Sequence, residues 1–463
     1  MPSATWKPRL RRGDAPVYVA LVEALAADIG SGKLRSGDRL PTQRELSRAV
    51  GASLGTVTRA YAEAERRGLI RSQVGNGTFV RDLTDPSAYS PMLDSGRLEL
   101  GPIAAPIVQG DVGHLALAAS LQELGARADL AALSGYQSHG GTPAQREAGV
   151  RWLEGEGVPA TVEEVTVTSG AQHATSLLLA ALPTQAGLLV EELTYPGLLG
   201  AAQLLRIPMH PVAMDEDGLV PEALERAARE SGARVLYCNP THHNPTTTVT
   251  SRARRELLVA VCRAQGLTVI ENGALAPLVP DAPPPLAALA PERTFHISSL
   301  SKATVPALRT GFIRSPAAHQ PAIETAAAAT LWSTSPLLAE VARQWIADGT
   351  ARTVRDARRT EAAARQALAA RALEGFRYRA HATASFLWLA LPEERRALEL
   401  VEQGLARHLT LGPAHLFTPR PGSAPNALRV SLTAARSRDE LSRGLALLTE
   451  LLRSPVRPLV PVL

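Results

Sequence analysis

In this 463-residue chain, Ser298-Ser299-Leu300-Ser301-Lys302 sets a lysine among small hydroxyl residues at the end of an apolar run. Charged residues are rarely buried unless paired. A lysine so placed suits Schiff-base chemistry with a carbonyl compound. Arg309, in Arg309-Thr310-Gly311, has the planar fork that holds a phosphate at two oxygens. Ser169-Gly170-Ala171-Gln172 ends another apolar run and opens a helix-like one. Small residues there let a ligand approach backbone N–H groups, which bind phosphate at a helix start. Tyr195, in Glu192–Gly197, brings an aromatic ring to a third such end, and Asn244, in Thr241–Thr246, brings an amide to a fourth. Singly each signal is weak, and a solvated loop is the commoner reading of Lys302 alone. Their order along the chain carries the argument.

The elements that must position these residues alternate. Val165–Thr168, Leu188–Glu192, Val235–Cys238, Leu267–Ile270 and Thr294–Ser298 read as strands. Helical patterns lie between them, one beginning after Gly170 and another over 251–264 with Leu257, Leu258 and Val261 apolar. Such alternation predicts an α/β fold with a mainly parallel sheet covered by helices, over residues 103–463. Ligands in such sheets sit at the carboxyl ends of strands, where each of these motifs falls.

The first 81 residues differ. They hold 14 Lys/Arg against 7 Asp/Glu, while the remainder holds 35 against 37. Basicity concentrated there points to a polyanion partner, or else to a solvated basic surface. Tyr18, Leu21, Val22, Leu25 and Ile29 follow helical spacing. Pro41-Thr42 opens a second helix near 43–50, Gly51 interrupts it, and a third runs from about Ser53 to Arg67 with Val57, Ala60, Tyr61 and Ala64 inward. Two short helices joined by a tight glycine turn form a helix-turn-helix, whose second helix lies in the major groove. Asn76-Gly77 between β-prone residues predicts a hairpin wing. The domains expected are therefore 10–81, a Pro- and Gly-bearing linker over 82–102, and 103–463.

Gly37–Val80 resembles the GntR-type winged helix throughout, and the resemblance implies that Arg44, Thr56, Thr58, Asn76 and Gly77 face double-stranded DNA. Leu54 stands where that family often has Arg, so an operator cannot be carried over. Residues 133–435 resemble fold-type I pyridoxal-phosphate enzymes, the class I aminotransferases. That resemblance implies a Schiff-base Lys302, a phosphate held by Gly170, Ala171, Gln172, Ser299, Ser301 and Arg309, Tyr195 stacked on the pyridine ring, and Asn244 on its 3-oxygen. Arg429 would grip a substrate carboxylate, and Tyr136 with Gly140–Glu147 would shape the site near a dimer interface. The two halves together are similar to the MocR family of bacterial regulators. Its plan implies a sensor of an amine, an amino acid or vitamin B6, built as a head-to-tail homodimer.

One segment departs from the family pattern. Where the family reads Glu-Asp-Asp followed by Tyr, this chain reads Glu271-Asn272-Gly273-Ala274-Leu275. An acidic partner keeps the pyridine nitrogen protonated, and an amide supplies no charge. Weak or absent transamination is expected. Two other readings stay open, a working aminotransferase and a DNA-binding dimer with a degenerate site.

The remaining residues narrow little. Cys238 and Cys262 read as packing residues, adjacent His242 and His243 do not match a zinc spacing, and Arg352, Arg355, Arg358 and Arg359 read as a solvated face. With neither a signal-like segment nor a membrane span in view, a cytoplasmic location is expected.

Overall fold

The computed structural model describes residues 6–8, 16–31, 33–35, 37–67, 69–73, 77–80, 96–103, 112–126, 130–420 and 422–454. Asn76 lies outside them.

The N-terminal module packs α1 (Val17–Gly30), α2 (Gln43–Val50) and α3 (Leu54–Arg66) against the antiparallel hairpin β1 (Ile70–Gln73) and β2 (Gly77–Val80). Thr42 caps α2 reciprocally: its hydroxyl accepts the Glu45 N–H, and Glu45 Oε2 accepts the Thr42 N–H at 2.8 Å. Gly51, at φ 67°, ends α2 in the left-handed conformation glycine favours. Ser53 caps α3. Leu21, Leu25, Leu46, Val57, Tyr61, Leu69 and Ile70 form the core. Each such burial contributes about 1.5–3 kcal/mol. The Tyr61 hydroxyl donates to the Pro41 carbonyl at 2.6 Å, fixing α3 against the turn before α2. At Gly77 the φ of 112° is one that residues with a side chain rarely adopt, so the start of β2 favours glycine.

Two sheets build the large domain. The first has the order β4 (Val165–Thr168), β12 (Gly311–Arg314), β11 (Thr294–Ser299), β10 (Thr268–Asn272), β9 (Val235–Cys238), β5 (Leu188–Glu191), β6 (Met209–Val212). Its strands run parallel except β12, which is antiparallel to both neighbours. Between β6 and β9 lies a small hairpin, β7 (Met214–Asp215) and β8 (Gly218–Leu219). Helices α4 (Val112–Ala126), α5 (Leu130–Leu133), α6 (Pro143–Glu154), α7 (Ala171–Ala181) and α8 (Pro196–Leu204) lead toward or follow the strands that carry the site. β4, β5 and β9 are buried along their whole length, as a sheet covered on both faces requires.

The second sheet has the order β13 (Tyr378–Arg379), β14 (Phe386–Ala390), β16 (Ala427–Ser431), β15 (Leu409–Pro413), β3 (Leu98–Leu100). β3 corrects the linker expected over 82–102. Its residues pair in parallel with Leu409–Leu411, and Leu100 is buried, so the segment from Leu98 belongs to the large domain.

The arginine run is also corrected. Arg358 is buried and donates to the Thr304 carbonyl, and Arg359 donates to the Pro277 carbonyl. Arg352 is exposed. A helix face facing two backbone carbonyls binds guanidinium groups rather than leaving them in solvent. Both cysteines are buried and free. Among the described residues there is no metal-binding cluster, and no helix is long and apolar enough to cross a membrane.

Candidate functional site

A cavity of about 580 Å³ opens at the carboxyl ends of the first sheet's strands. Its wall includes Ala171, Gln172, Tyr195, Asn244, Asn272, Ser299, Ser301, Lys302, Arg309 and Arg429. Most of these residues, far apart in sequence, meet there because they follow or end strands of the first sheet, while Arg429 reaches in from within β16 of the second. Tyr136 is not part of this wall. It is 90% exposed, with its ring edge-on to Trp332 at 6.4 Å.

At one end, Gly170 (φ 88°) precedes α7, whose first N–H groups have no partner within the helix. Arg309, itself left-handed at φ 46°, donates to the Ser169 carbonyl at 3.0 Å. A Cβ at Gly170 would lie 3.3 Å from Arg309 Nη2. Gly311 is closer still, where a Cβ would meet Gly170 Cα at 3.0 Å. Glycine at both positions lets the guanidinium and the helix start share one corner.

In the middle, Lys302 Nζ donates to the Ile103 carbonyl at 2.8 Å. Burial, with Arg429 and Arg309 nearby, pulls its pKa down to about 8. About a tenth of the amine is then neutral at pH 7, far more than at its ordinary pKa, which makes it a usable nucleophile. Arg429, on β16, donates to Asn244 Oδ1 at 2.9 Å and to the Gly101 carbonyl at 2.8 Å. Tyr195 is half-buried beside α8, and its burial pushes its phenol pKa up against the pull of Arg429 and Arg309.

Asn272 ends β10. Its Oδ1 accepts the Ala274 N–H at 3.0 Å, and its Nδ2 donates to the Tyr237 hydroxyl at 2.5 Å. The backbone donor sets which way the amide points, and the group turned to the cavity carries no charge. The buried Gln172 Oε1, Asn239 Oδ1 and Ser301 Oγ of the wall have no hydrogen-bond partner among the described residues. Buried polar atoms are ordinarily paired, so these point to a ligand or water. The cations, helix start and unpaired polar atoms suit a phosphate-bearing, amine-reactive group.

Several residues escaped the sequence reading. Asn239 stands at the end of β9, a strand-end polar position that could have been found. Pro102, Ile103, Leu199 and Leu416 line the cavity with no signal beyond being apolar. Behind β10, His296 lies between Glu271, at 2.9 Å, and Glu156, at 3.3 Å. Burial opposes its charge, but the two carboxylates outweigh that and raise its pKa to about 9. Glu271 also accepts N–H groups of Leu286 and Ala287, the start of a one-turn helix, Leu286–Leu289. Ser298 donates to Glu156, so the polar network reaches the strand leading to Lys302.

On the N-terminal module, Arg44, Leu54 and Thr58 are exposed. The Thr58 hydroxyl bonds with Gln43 Oε1 at 2.7 Å, joining the two helices of the motif. Thr56 is spent largely on the α3 cap with Ser53, and Arg59 is drawn over the Tyr18 ring at 4.1 Å. His242 stacks on Phe386, and His243 bonds Thr246 and the Leu193 carbonyl.

Known proteins resemble both parts. Residues 109–448 match the family model of aminotransferase class I and II, and residues 17–80 match that of bacterial regulatory proteins of the gntR family. The HTH-type transcriptional regulator YdeF of Bacillus subtilis (strain 168) is 30% identical, over 97% of each chain. The HTH-type pyridoxine biosynthesis transcriptional regulator PdxR of Corynebacterium glutamicum is 28% identical over 64% of this chain and 65% of its own. Among solved structures, a kynurenine aminotransferase of Pyrococcus horikoshii superposes with a TM-score of 0.70 at 20% identity, covering 78% of this chain and 91% of that one. That likeness shows the fold, which is the fold-type I aminotransferase architecture. With a gntR-family helix-turn-helix at one end and the aminotransferase class I and II family model matching most of the rest, the chain belongs to the MocR-type regulators.

Proposed function

We propose that this regulator binds double-stranded DNA through α3 and its wing, and that an amino compound or a B6 vitamer in the large-domain cavity changes that binding. The observation that carries the ligand half is the convergence of Lys302, Arg309 and Arg429 on one cavity beside the unpaired Gln172, Asn239 and Ser301 atoms. Pyridoxal phosphate, when bound, supplies an aldehyde that condenses with primary amines and a ring that withdraws electrons. Lys302 would hold it through Nζ. The Ala171 and Gln172 N–H groups behind Gly170, with Ser299, Ser301 and Arg309, would hold its phosphate. Tyr195 would flank the ring, Asn244 would face its 3-oxygen, Asn272 its nitrogen, and Arg429 would receive a carboxylate. Arg44, Thr58 and the wing around Gly77 and Asn76 would meet the DNA, with Thr56 holding the start of α3.

Asn272 favours sensing over turnover, because it offers the ring nitrogen no negative charge. The rival reading, a working aminotransferase, is favoured by the lowered pKa of Lys302. Visible absorbance of the purified protein with added pyridoxal phosphate, beside Lys302→Ala, tests the site. A cofactor band present in the wild type and lost in the variant is expected, with DNA binding retained by both. A band unaffected by Lys302→Ala would refute the assignment. Rapid amino transfer from a common amino acid would favour the enzyme.

The exposed Tyr136, Trp332, Leu331 and Leu337 fit a subunit contact, and a head-to-tail homodimer is part of the proposal.

A further inference from the structure

The segment after β3 turns into the cavity and is held there by the cavity's own cations. Arg429 Nη2 donates to the Gly101 carbonyl and Lys302 Nζ to the Ile103 carbonyl, each at 2.8 Å. Pro102 and Ile103 line the wall between them. Upstream, β3 is the edge strand of the second sheet, and the chain before it leads back to the DNA-binding module. Residues 98–103 thus run from the edge strand where the connection enters the large domain to Pro102 and Ile103 in the cavity wall.

These anchors are carbonyl groups, which are neutral acceptors. A carboxylate adds a full negative charge and a two-oxygen fork that matches the guanidinium, so it bonds that group more strongly than a single neutral carbonyl does. A carboxylate entering the cavity therefore competes for the donor that now holds Gly101. The displaced carbonyl has little room to stay, since Gly101 packs on the backbone of Leu411 and the β15–β16 pair closes over it at Gly412. A Cβ at Gly412 would lie 2.8 Å from the Arg429 carbonyl and 3.3 Å from that of Gly101.

The same wall defines the ligand. Among the described residues, its charged members are Lys302, Arg309 and Arg429, all cations. With Arg309 given to a phosphate and Lys302 to a carbonyl compound, Arg429 serves one carboxylate. Among the described residues of this chain, the wall holds no further cation for a second carboxylate and no carboxylate for a second amino group. Ile103, Leu199, Leu275 and Leu416 supply apolar surface instead.

Resting on the reading of this cavity as an effector site, we propose that the effector is an α-amino acid with an apolar side chain. Its carboxylate takes Arg429 from the Gly101 carbonyl and so loosens β3, the strand through which the DNA-binding module is joined.

Three probes on the full-length protein test this. Pyridoxamine 5′-phosphate has the phosphate and ring without a carboxylate. N-(5′-phosphopyridoxyl)-L-leucine adds one carboxylate and an apolar side chain, and the L-aspartate adduct adds a second carboxylate. Hydrogen exchange over 98–103 and affinity for a selected operator duplex are read with each probe. The leucine adduct should speed exchange there at least fivefold and shift DNA affinity at least threefold. Pyridoxamine phosphate should bind and do neither, and the aspartate adduct should bind at least tenfold more weakly than the leucine adduct. A second measurement locks the strand through Glu99→Cys with Thr410→Cys, which face each other across β3 and β15. The natural cysteines are buried. The oxidised pair should bind the leucine adduct without a change in DNA affinity, and reduction should restore the response. The proposal falls if the bound leucine adduct leaves exchange over 98–103 unchanged. It falls equally if the aspartate adduct binds as well, or if the locked protein responds in full. Binding of no probe at all would overturn the effector reading itself, a result distinct from binding without release.

Discussion

At the residue scale, Asn272 and Lys302 decide what the cavity can do. The Asn272 amide is fixed by the Ala274 N–H and the Tyr237 hydroxyl, and aspartate could accept from both. Asn272→Asp should therefore fold, restore an acidic partner for the ring nitrogen, and raise the amino-donor half-reaction at least tenfold, followed as loss of the cofactor band. No gain would mean that another group limits the chemistry. Lys302 has a pH signature. Its pKa is about 8 in the fold and near 10.5 when unfolded, so the unfolded chain binds more protons between those values. Stability then rises with pH from about 8 to 10.5, and the cost of burying the ammonium is fully present below 8. Lys302→Met should stabilise the cofactor-free protein by roughly 1–3 kcal/mol at pH 7, with the gain gone above pH 10.5. Urea denaturation at the two pH values checks this.

At the element scale, strands and helices determine which atoms reach a partner. β11 and β10 are tied through His296, which sits between Glu271 and Glu156. His296→Gln would leave two buried carboxylates without their cation, a loss of about 3–5 kcal/mol at pH 6. The histidine pKa is raised to about 9, so its contribution is complete below about 6.5 and fades as pH passes 9. The stability gap between wild type and variant should narrow at pH 9.5. On α3, the first turn presents Leu54, 44% exposed, followed by Gly55, while Arg59 is held back over Tyr18. An apolar side chain at the tip of a recognition helix suits a thymine methyl rather than a guanine edge. Leu54→Ala should weaken operator binding about three- to tenfold and remove any penalty for replacing the contacted thymine with deoxyuridine. A variant with unchanged affinity and unchanged base preference would contradict this.

At the scale of the whole molecule, the two domains differ in charge and in partner. The basic excess of the first 81 residues accords with a helix-turn-helix that meets a polyanion. The large domain exposes Trp332 and Tyr136, ring edge to ring face, beside Leu331 and Leu337. Isolated apolar residues on a surface are ordinary, but an aromatic pair among leucines is a patch. Trp332→Glu should shift the protein toward monomer in sedimentation at micromolar concentration and weaken operator binding with it. A dimer unaffected by the change would place the subunit contact elsewhere.

Local sequence pattern encodes the order of elements and the residues at their ends. Period-two and period-3.6 patterns are local, so the strands through Val165, Val235 and Thr294 and the capped helices after Thr42 and Ser53 were legible. Lys302, Arg309, Asn272 and Arg429 could be singled out because strand ends and family motifs are written in short windows. Three things were decided only in three dimensions. The segment from Leu98 read as a connection because three residues carry no periodicity, and its partner, Leu409–Leu411, is remote in the chain. Arg358 and Arg359 read as solvated because helix spacing shows a shared face but not the Thr304 and Pro277 carbonyls that it meets. The His296 network and the hold of Lys302 and Arg429 on Ile103 and Gly101 depend on contacts between distant elements. Local pattern encodes which element a residue joins, and packing alone decides which atom it touches.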